Sequence, residues 1–253
     1  MCPQQIKSQD RIIIQMTGIR KGAIMKSPCL LCGGQTNPLH HPGLKADYRV
    51  CGKCDLIFKE AADLISSDEE MRIYNCHQNS IQDPRYVDFF ERFLNDAVFP
   101  YVNQGKRGLD FGSGPSPVLA QLLERDYGYS MDIYDLFYAP EKVYEGKKYD
   151  LITSTEVVEH LRDPKAYFRL FRTLLKSDGI LAVMTLFHRN DTIHFLNWHY
   201  ARDRSHISFF TPKTMQYLAE QTGLKMIHTN HERYTTFMLD EAWQKMPESN
   251  QKP

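Results

Sequence analysis

The sequence predicts an α/β protein, a mostly parallel sheet with helices on its faces, preceded by a small metal-held ribbon. Three observations carry this. Leu109–Pro117 (LDFGSGPSP) reads as a strand, a glycine turn and the start of a helix. Further strands follow at βαβ spacing, ending in Asp135 and in Thr155-Glu156, with helical patterns between later ones. Ahead of them, Cys29, Cys32, Cys51 and Cys54 form two C-x2-C pairs separated by 18 residues.

The glycine turn organises the rest. Behind it lies a charged turn, Gly105 to Gly108; ahead of it Val118, Leu119, Leu122 and Leu123 recur at helical spacing. Gly112 and Gly114 let a ligand approach the backbone where a Cβ would stand, and the helix start offers N–H groups. Asp110, at the strand's end, can accept hydrogen bonds there or meet a cation. Such turns occur in many α/β proteins, so this stretch alone only suggests a nucleotide-type ligand. Tyr129 to Tyr134 forms the second strand and ends at Asp135, about 20 residues on, where doubly wound folds place an acid for ribose hydroxyls. Asp132 competes for that role but falls inside the strand.

Bulk properties narrow the function. The chain has 253 residues, enough for one large domain or a medium one with an appendage. Lys+Arg 31 balance Asp+Glu 31, so no overall field favours nucleic acid or an anionic membrane. No apolar run approaches the roughly 20 residues that span a bilayer. The Ile12–Ile14 cluster is too brief for a secretory signal, so a cytoplasmic protein is expected. In a reducing cell paired cysteines read as metal ligands, not disulfides.

The two cysteine turns can close a tetrahedral Zn²⁺ site, with Gly33, Gly34 and Gly52 suiting tight knuckles. So short a segment cannot bury enough apolar surface alone, and metal binding would supply its folding energy. A redox dithiol would need a thioredoxin-like helix start, which is missing here. His40 and His41 could replace a thiolate, but two complete pairs make that unnecessary. Four protein ligands leave the ion structural.

The expected organisation is residues 1–25 as a disordered extension, with Met16 and Met25 as alternative starts. The ribbon module follows at 26–58, a helical linker or cap at 59–102, the main domain at 103–240 and a tail at 241–253. Ser67 to Glu70 is a capping-box-like helix start and Asp83-Pro84 opens another helix, whose Tyr86, Phe89, Phe90, Phe93, Leu94 and Ala97 form an apolar stripe over sheet or pocket. Cys76 and His77, an isolated pair, are expected to have no metal or catalytic role. Only 13 residues, Leu136 to Lys148, separate Asp135 from the next strand, so a third strand near Lys142–Tyr144 is at best an edge stub. Tyr149 to Glu156 reads as a buried central strand; Asp163-Pro164 starts a helix stopping at Gly179; Ile180 to Phe187 is a strand. Thr211-Pro212 opens a helix ending at Gly223, and Lys225–Asn230 with Tyr234–Leu239 make a final strand pair.

LDFGSGPSP, Asp135 and YDLITSTEVVEHLRDP together resemble the class I S-adenosylmethionine (SAM) dependent methyltransferases, in the branch with an E-V-x-E-H-L pattern after the fourth strand, over residues 103–240. The cysteine knuckles are similar to those of certain sugar C-methyltransferases and of a ribosomal RNA guanine methyltransferase group. The resemblance implies a Rossmann-like, mostly parallel sheet with an antiparallel last strand and a shortened third-strand edge. It places Asp110, Gly112 and Gly114 around the methionine part of SAM, Asp135 on its ribose hydroxyls, and Thr155 and Glu156 near the sulfonium. Pro117 stands where a third glycine is common, which fixes the helix start. The short third-strand region lacks the usual acid against adenine.

Methyl transfer from a sulfonium is an in-line displacement in which alignment and desolvation supply most of the acceleration. If the acceptor must lose a proton, His160, following Glu159, is a candidate base; both could instead cap the next helix. The loop from His188 to His206 holds four histidines with Trp198, Tyr200 and Arg202, as a lid or acceptor pocket would. His206 is its candidate base or acceptor contact, its structural alternative being to hold the loop on the helix at Thr211. No ligand spacing supports a second metal there. The expected partner is a small-molecule acceptor: a sugar nucleotide, a quinol or a polyketide-like compound. An RNA substrate gripped by the ribbon gains only thin support from Lys45, Arg49 and Lys53, and a non-catalytic SAM-binding scaffold is the third reading.

Overall fold

The computed structural model describes residues 27–76 and 79–247; His77 and the segments assigned to the extreme termini lie outside them. Six strands form the main sheet in the order β5-β4-β6-β7-β10-β9. These are β4 (Arg107–Phe111), β5 (Ser130–Tyr134), β6 (Tyr149–Thr155), β7 (Leu175–Met184), β9 (Leu224–Thr229) and β10 (Tyr234–Leu239). Pairing is parallel from β5 through β4 and β6 to β7, whereas β10 runs antiparallel to both β7 and β9. The α/β class and the antiparallel final strand agree with expectation. β6 is buried at six of its seven residues, and its one charged side chain, Asp150, is met by Lys176 and the Arg107 N–H.

Helices cover both faces: α2 (Pro84–Phe93), α3 (Val118–Tyr127), α4 (Pro164–Leu174) and α6 (Pro212–Thr222), with short α1 (Ser67–Tyr74), α5 (Thr192–Asn197) and α7 (Asp240–Trp243). Their starts follow the sequence. Asp83, Asp163 and Thr211 each cap the first turn through a side-chain oxygen, with proline at the first helical position. A wide, π-type turn, Leu94–Val98, prolongs α2 and seats the aromatic stripe on the sheet beside α3.

Two local expectations are corrected. No strand lies near Lys142–Tyr144; Asp135 and Ala139 instead exchange two main-chain hydrogen bonds in a tight loop, and β5 is the sheet edge. Gly179 does not stop α4, which ends at Leu174, five residues earlier. The glycine sits within β7, where a Cβ would come 2.5 Å from the Tyr149 carbonyl oxygen, so the requirement is close approach to β6.

A second sheet joins the ribbon to the segment just before α6. β1 (Thr36–His41), β2 (Ala46–Cys51) and β3 (Ile57–Lys59) make an antiparallel meander, and β8 (Ser208–Phe209) pairs with β3 through Ile57–Phe209 and Phe58–Ser208. Tyr48, Phe195, Trp198, Tyr200 and Phe209 pack as one cluster across that junction. Among the described residues no helix is long and apolar enough to cross a membrane.

Candidate functional site

The four ribbon thiols converge. Cys29 and Cys54 sulfurs lie 3.6 Å apart and Cys32 and Cys51 sulfurs 3.4 Å, and all four fall within 4.8 Å of one another. A tetrahedral Zn²⁺ with Zn–S near 2.3 Å calls for sulfurs about 3.8 Å apart, close to this spacing. Main-chain N–H groups of Gly34, Lys53 and Cys54 point at the sulfurs of Cys32 and Cys51, as knuckles require. His40 and His41 belong elsewhere: His40 pairs with Asp47, and the His41 ring accepts from the Leu44 N–H.

The ribbon's last knuckle also grips the main domain. Thr214 donates its hydroxyl to the Cys54 carbonyl at 2.8 Å. Asp55, in left-handed backbone at φ 62°, takes the His188 ring nitrogen on its carbonyl and Asn190 and Lys213 on its carboxylate. Because His188 Nε2 donates, its Nδ1 accepts from the Asn190 N–H; burial pushes this ring down to about 4, so it stays neutral.

On the main sheet the glycine bend and Asp135 meet. The N–H groups of Gly112 and Ser113 bond the Tyr134 carbonyl, and Gly114 donates to Asp135 Oδ2 at 2.9 Å. Asp135 Oδ1 also accepts from the N–H groups of Phe137 and Tyr138. The carboxylate therefore organises its own loop as well as facing the bend. Gly112 and Gly114 have positive φ for different reasons. A Cβ on Gly112 would strike Val157 at 2.2 Å, whereas one on Gly114 would meet nothing within 4 Å, leaving open space beside the bend. Asp110 is buried, takes the Thr153 hydroxyl at 2.8 Å, and burial raises its carboxyl to about 7.

Beyond β6 the chain turns through Glu156, held at φ 54°. Glu156 Oε1, Glu159 Oε2 and the Ser113 hydroxyl are buried polar atoms with no hydrogen-bond partner. Burial raises both glutamates above the usual carboxylate range. Tyr200, which sequence reasoning saw only as one aromatic of the loop, donates to Glu159 Oε1, and its hydroxyl contacts that of Thr185 at 3.1 Å. Tyr86 on α2 senses the charges of Asp110 and Glu156, so the aromatic stripe reaches the site as well as the core.

His160 and His206 come together, their ring centroids 4.8 Å apart. His160 Nδ1 bonds the Ser205 carbonyl at 3.1 Å, and His206 Nδ1 bonds the Tyr200 carbonyl at 2.8 Å. Tyr74 of α1 sets its ring perpendicular to His160. Glu159, His160 and His206 each offer one ligating atom, all within 4.8 Å of one another. No ligand spacing in the sequence marks this group, since its third member comes from 46 residues downstream of the second. Cys76 is exposed, with its thiol toward the Arg72 carbonyl.

Residues 79–229 match the family model described as "Methyltransferase domain". A ubiquinone biosynthesis O-methyltransferase of Dinoroseobacter shibae is 33% identical over 129 residues, 47% of this chain and 51% of that protein. Its counterpart from Ruegeria sp. is 29% identical over the same shares. The chain spans about half the length of the curated relatives it matches. Among solved structures, the SAH-bound form of CalO1, a methyltransferase in calicheamicin biosynthesis, is 12% identical with TM-score 0.47, covering 68% of this chain and 58% of that one. An O-methyltransferase family protein from Burkholderia thailandensis gives 15% and 0.46, over 62% and 60%. By the family match over well above half its length, this chain belongs to the methyltransferase-domain family.

Proposed function

We propose that the chain transfers a methyl group from SAM to an oxygen of a small-molecule acceptor, with Zn²⁺ holding the ribbon. The observation that carries this is the bend at Gly112–Gly114 hydrogen-bonded to Asp135 of the neighbouring strand, with open space beside Gly114 and the partnerless Ser113 hydroxyl and Glu156 Oε1 nearby in the chain. Those atoms, with Asp110 and Thr155, are the cofactor cradle. Asp135 takes a ribose hydroxyl on the one lone pair left by its three N–H donors, a carboxylate having about four.

A cleft of about 430 Å³ at the β7 end, lined by Phe187, His188, Arg189, Trp198, His231 and Arg233, is the acceptor vestibule. Its aromatic lining suits a flat acceptor, Arg189 and Arg233 being set against Glu232, and the O-methyltransferase names of the relatives favour oxygen. In the transfer, the acceptor oxygen bonds the methyl carbon as the carbon–sulfur bond breaks, leaving a neutral thioether and releasing the acceptor's proton. The protein's part is to align the three atoms and exclude water. His160 and His206, their Nδ1 atoms bonded to the Ser205 and Tyr200 carbonyls, are the candidate bases. Against the RNA reading, Arg49 is paired with Glu60 and so contributes little to a basic ribbon face.

Calorimetry with SAM and with its demethylated product tests this. Asp135→Ala should weaken both at least tenfold while the chain stays folded by circular dichroism; unchanged affinity sinks the assignment.

A further inference from the structure

We propose that the cleft between α2 and the turn joining β9 to β10 binds an uncharged, hydroxyl-rich portion of the acceptor, of which a glycosyl group is the simplest case. The cleft encloses about 650 Å³, a size usual for small-molecule sites, and Asn95, Asp96, Glu232, Arg233 and Tyr234 line it.

Both walls are built to hold their side chains in place. One is the wide turn Leu94–Val98, which breaks the α-helical register just where Asn95 and Asp96 face the cleft. The buried Thr236 hydroxyl donates to the Ala97 carbonyl and pins that turn to β10. Such π-type turns are frequent at functional sites. The other wall is the β9–β10 turn. Asn230 Oδ1 accepts from the N–H groups of Glu232, Arg233 and Tyr234 at 3.0, 2.9 and 2.9 Å, so those three side chains leave a fixed backbone.

The lining is polar yet balanced in charge. Arg92 pairs with Asp88 at 2.7 Å, and Asp96 stands 3.0 Å from the His228 ring. The Tyr234 phenol, raised by burial, is also acted on by two cations, Arg233 and Arg92, and two anions, Asp96 and Glu232. An anionic ligand would therefore meet both carboxylates. An apolar one would cover the Asn95 amide, the Tyr234 hydroxyl and the Glu232 carboxylate, whose side chains make no hydrogen bond among the described residues. A hydroxyl both donates and accepts, so a ligand with several of them suits amide, phenol, carboxylate and guanidinium together.

The cleft's position ties it to the transfer. Glu232 and Arg233 also line the cleft at the β7 end, so the two clefts meet at that turn. The Arg233 guanidinium lies over the Phe89 ring at 5.5 Å, and Phe89 stacks on Tyr86, which senses Asp110 and Glu156. Resting on the methyl-transfer reading, this makes the acceptor a two-part molecule: a flat part at the β7 end and a glycosyl part beyond Arg233.

Zinc-replete full-length protein with the demethylated product of SAM should be titrated with phenyl glucoside, galactoside, mannoside and rhamnoside, and with phenol and phenyl phosphate, by ligand-observed NMR. At least one glycoside should bind about fivefold or more tighter than phenol, and Asn95→Ala and Tyr234→Phe should each lower that preference about fivefold without changing phenol binding. Asn95 is exposed and Tyr234→Phe keeps the ring, so both variants retain the fold. Glycosides binding no tighter than phenol, a preference unchanged in both variants, or phenyl phosphate binding tighter than every glycoside overturns the assignment. Calorimetry with the demethylated product, run in parallel, separates the two readings. Cofactor-product binding without glycoside preference would leave the methyl-transfer reading standing, whereas glycoside preference without it would remove that reading and keep the cleft's ligand class.

Discussion

The two ligand clusters differ in how they are built. The cysteine cluster is local: each C-x2-C pair sits in one turn, and N–H groups from the same turns point at the sulfurs. The glutamate–histidine cluster is assembled by the fold, with Glu159 and His160 following β6 and His206 arriving from the loop before β8. Four thiols converge by themselves, while the glutamate and histidines are each held by groups from other segments: Tyr200 on Glu159, and the Ser205 and Tyr200 carbonyls on the two rings. A cluster confined to one segment is written into short spacings; one assembled by the fold draws on segments far apart in sequence. The comparison teaches that the two clusters depend on each other in one direction, since the loop carrying His206 is tied to the knuckle at Cys54-Asp55.

The largest expected effect comes from breaking the local cluster. Cys54→Ser should release the ribbon metal, cost several kcal/mol and loosen residues 188–210 together with 27–60. Hydrogen exchange would record both segments; protection lost only in the ribbon would break the proposed one-way dependence.

Asp110 is a buried acid outside either cluster. Its folded value of about 7 lies above the usual 3.8, so the native state holds the proton longer and stability falls as pH rises from 4 through 7. Asp110→Asn keeps an acceptor for Thr153 and should stabilise the protein at pH 8 by up to about 4 kcal/mol, with the gain vanishing near pH 4. Chemical denaturation at several pH values measures this. A smaller loss, about 1–3 kcal/mol, is expected for Tyr200→Phe, which strips a donor from buried Glu159. Thermal melts should show it, and melts equal to those of the parent would mean Glu159 has other support. Lys213→Ala, removing an exposed partner of Asp55, should cost less than about 1 kcal/mol in the same assay.

Much of the framework was legible because local chemistry fixes it. Asp83, Asp163 and Thr211 before prolines marked three helix starts, and the run from Tyr149 to Thr155 could only be a buried strand. Gly179 misled because a glycine needed for close strand approach looks the same in sequence as one that ends a helix. The segment from Leu136 to Lys148 is too short for a crossover, yet the two hydrogen bonds between Asp135 and Ala139 that close its first part carry no residue signature. At the site, the glycine bend and Asp135 were found from spacing, and the structure puts them in contact. The roles of Tyr200 and Glu159 were hidden, because each depends on a partner 41 positions away. Pairing of β3 with β8 was equally invisible, since two residues of strand leave no period to read.

That pairing has a consequence for anyone reshaping the enzyme. Deleting the first 60 residues would not simply trim an appendage. It would strip the hydrogen-bonded neighbour from Ser208 and Phe209 and bare the aromatic packing around Trp198 and Phe209, one wall of the compartment where a substrate would enter. Reshaping the ribbon is therefore expected to alter this wall as well as the robustness of the chain.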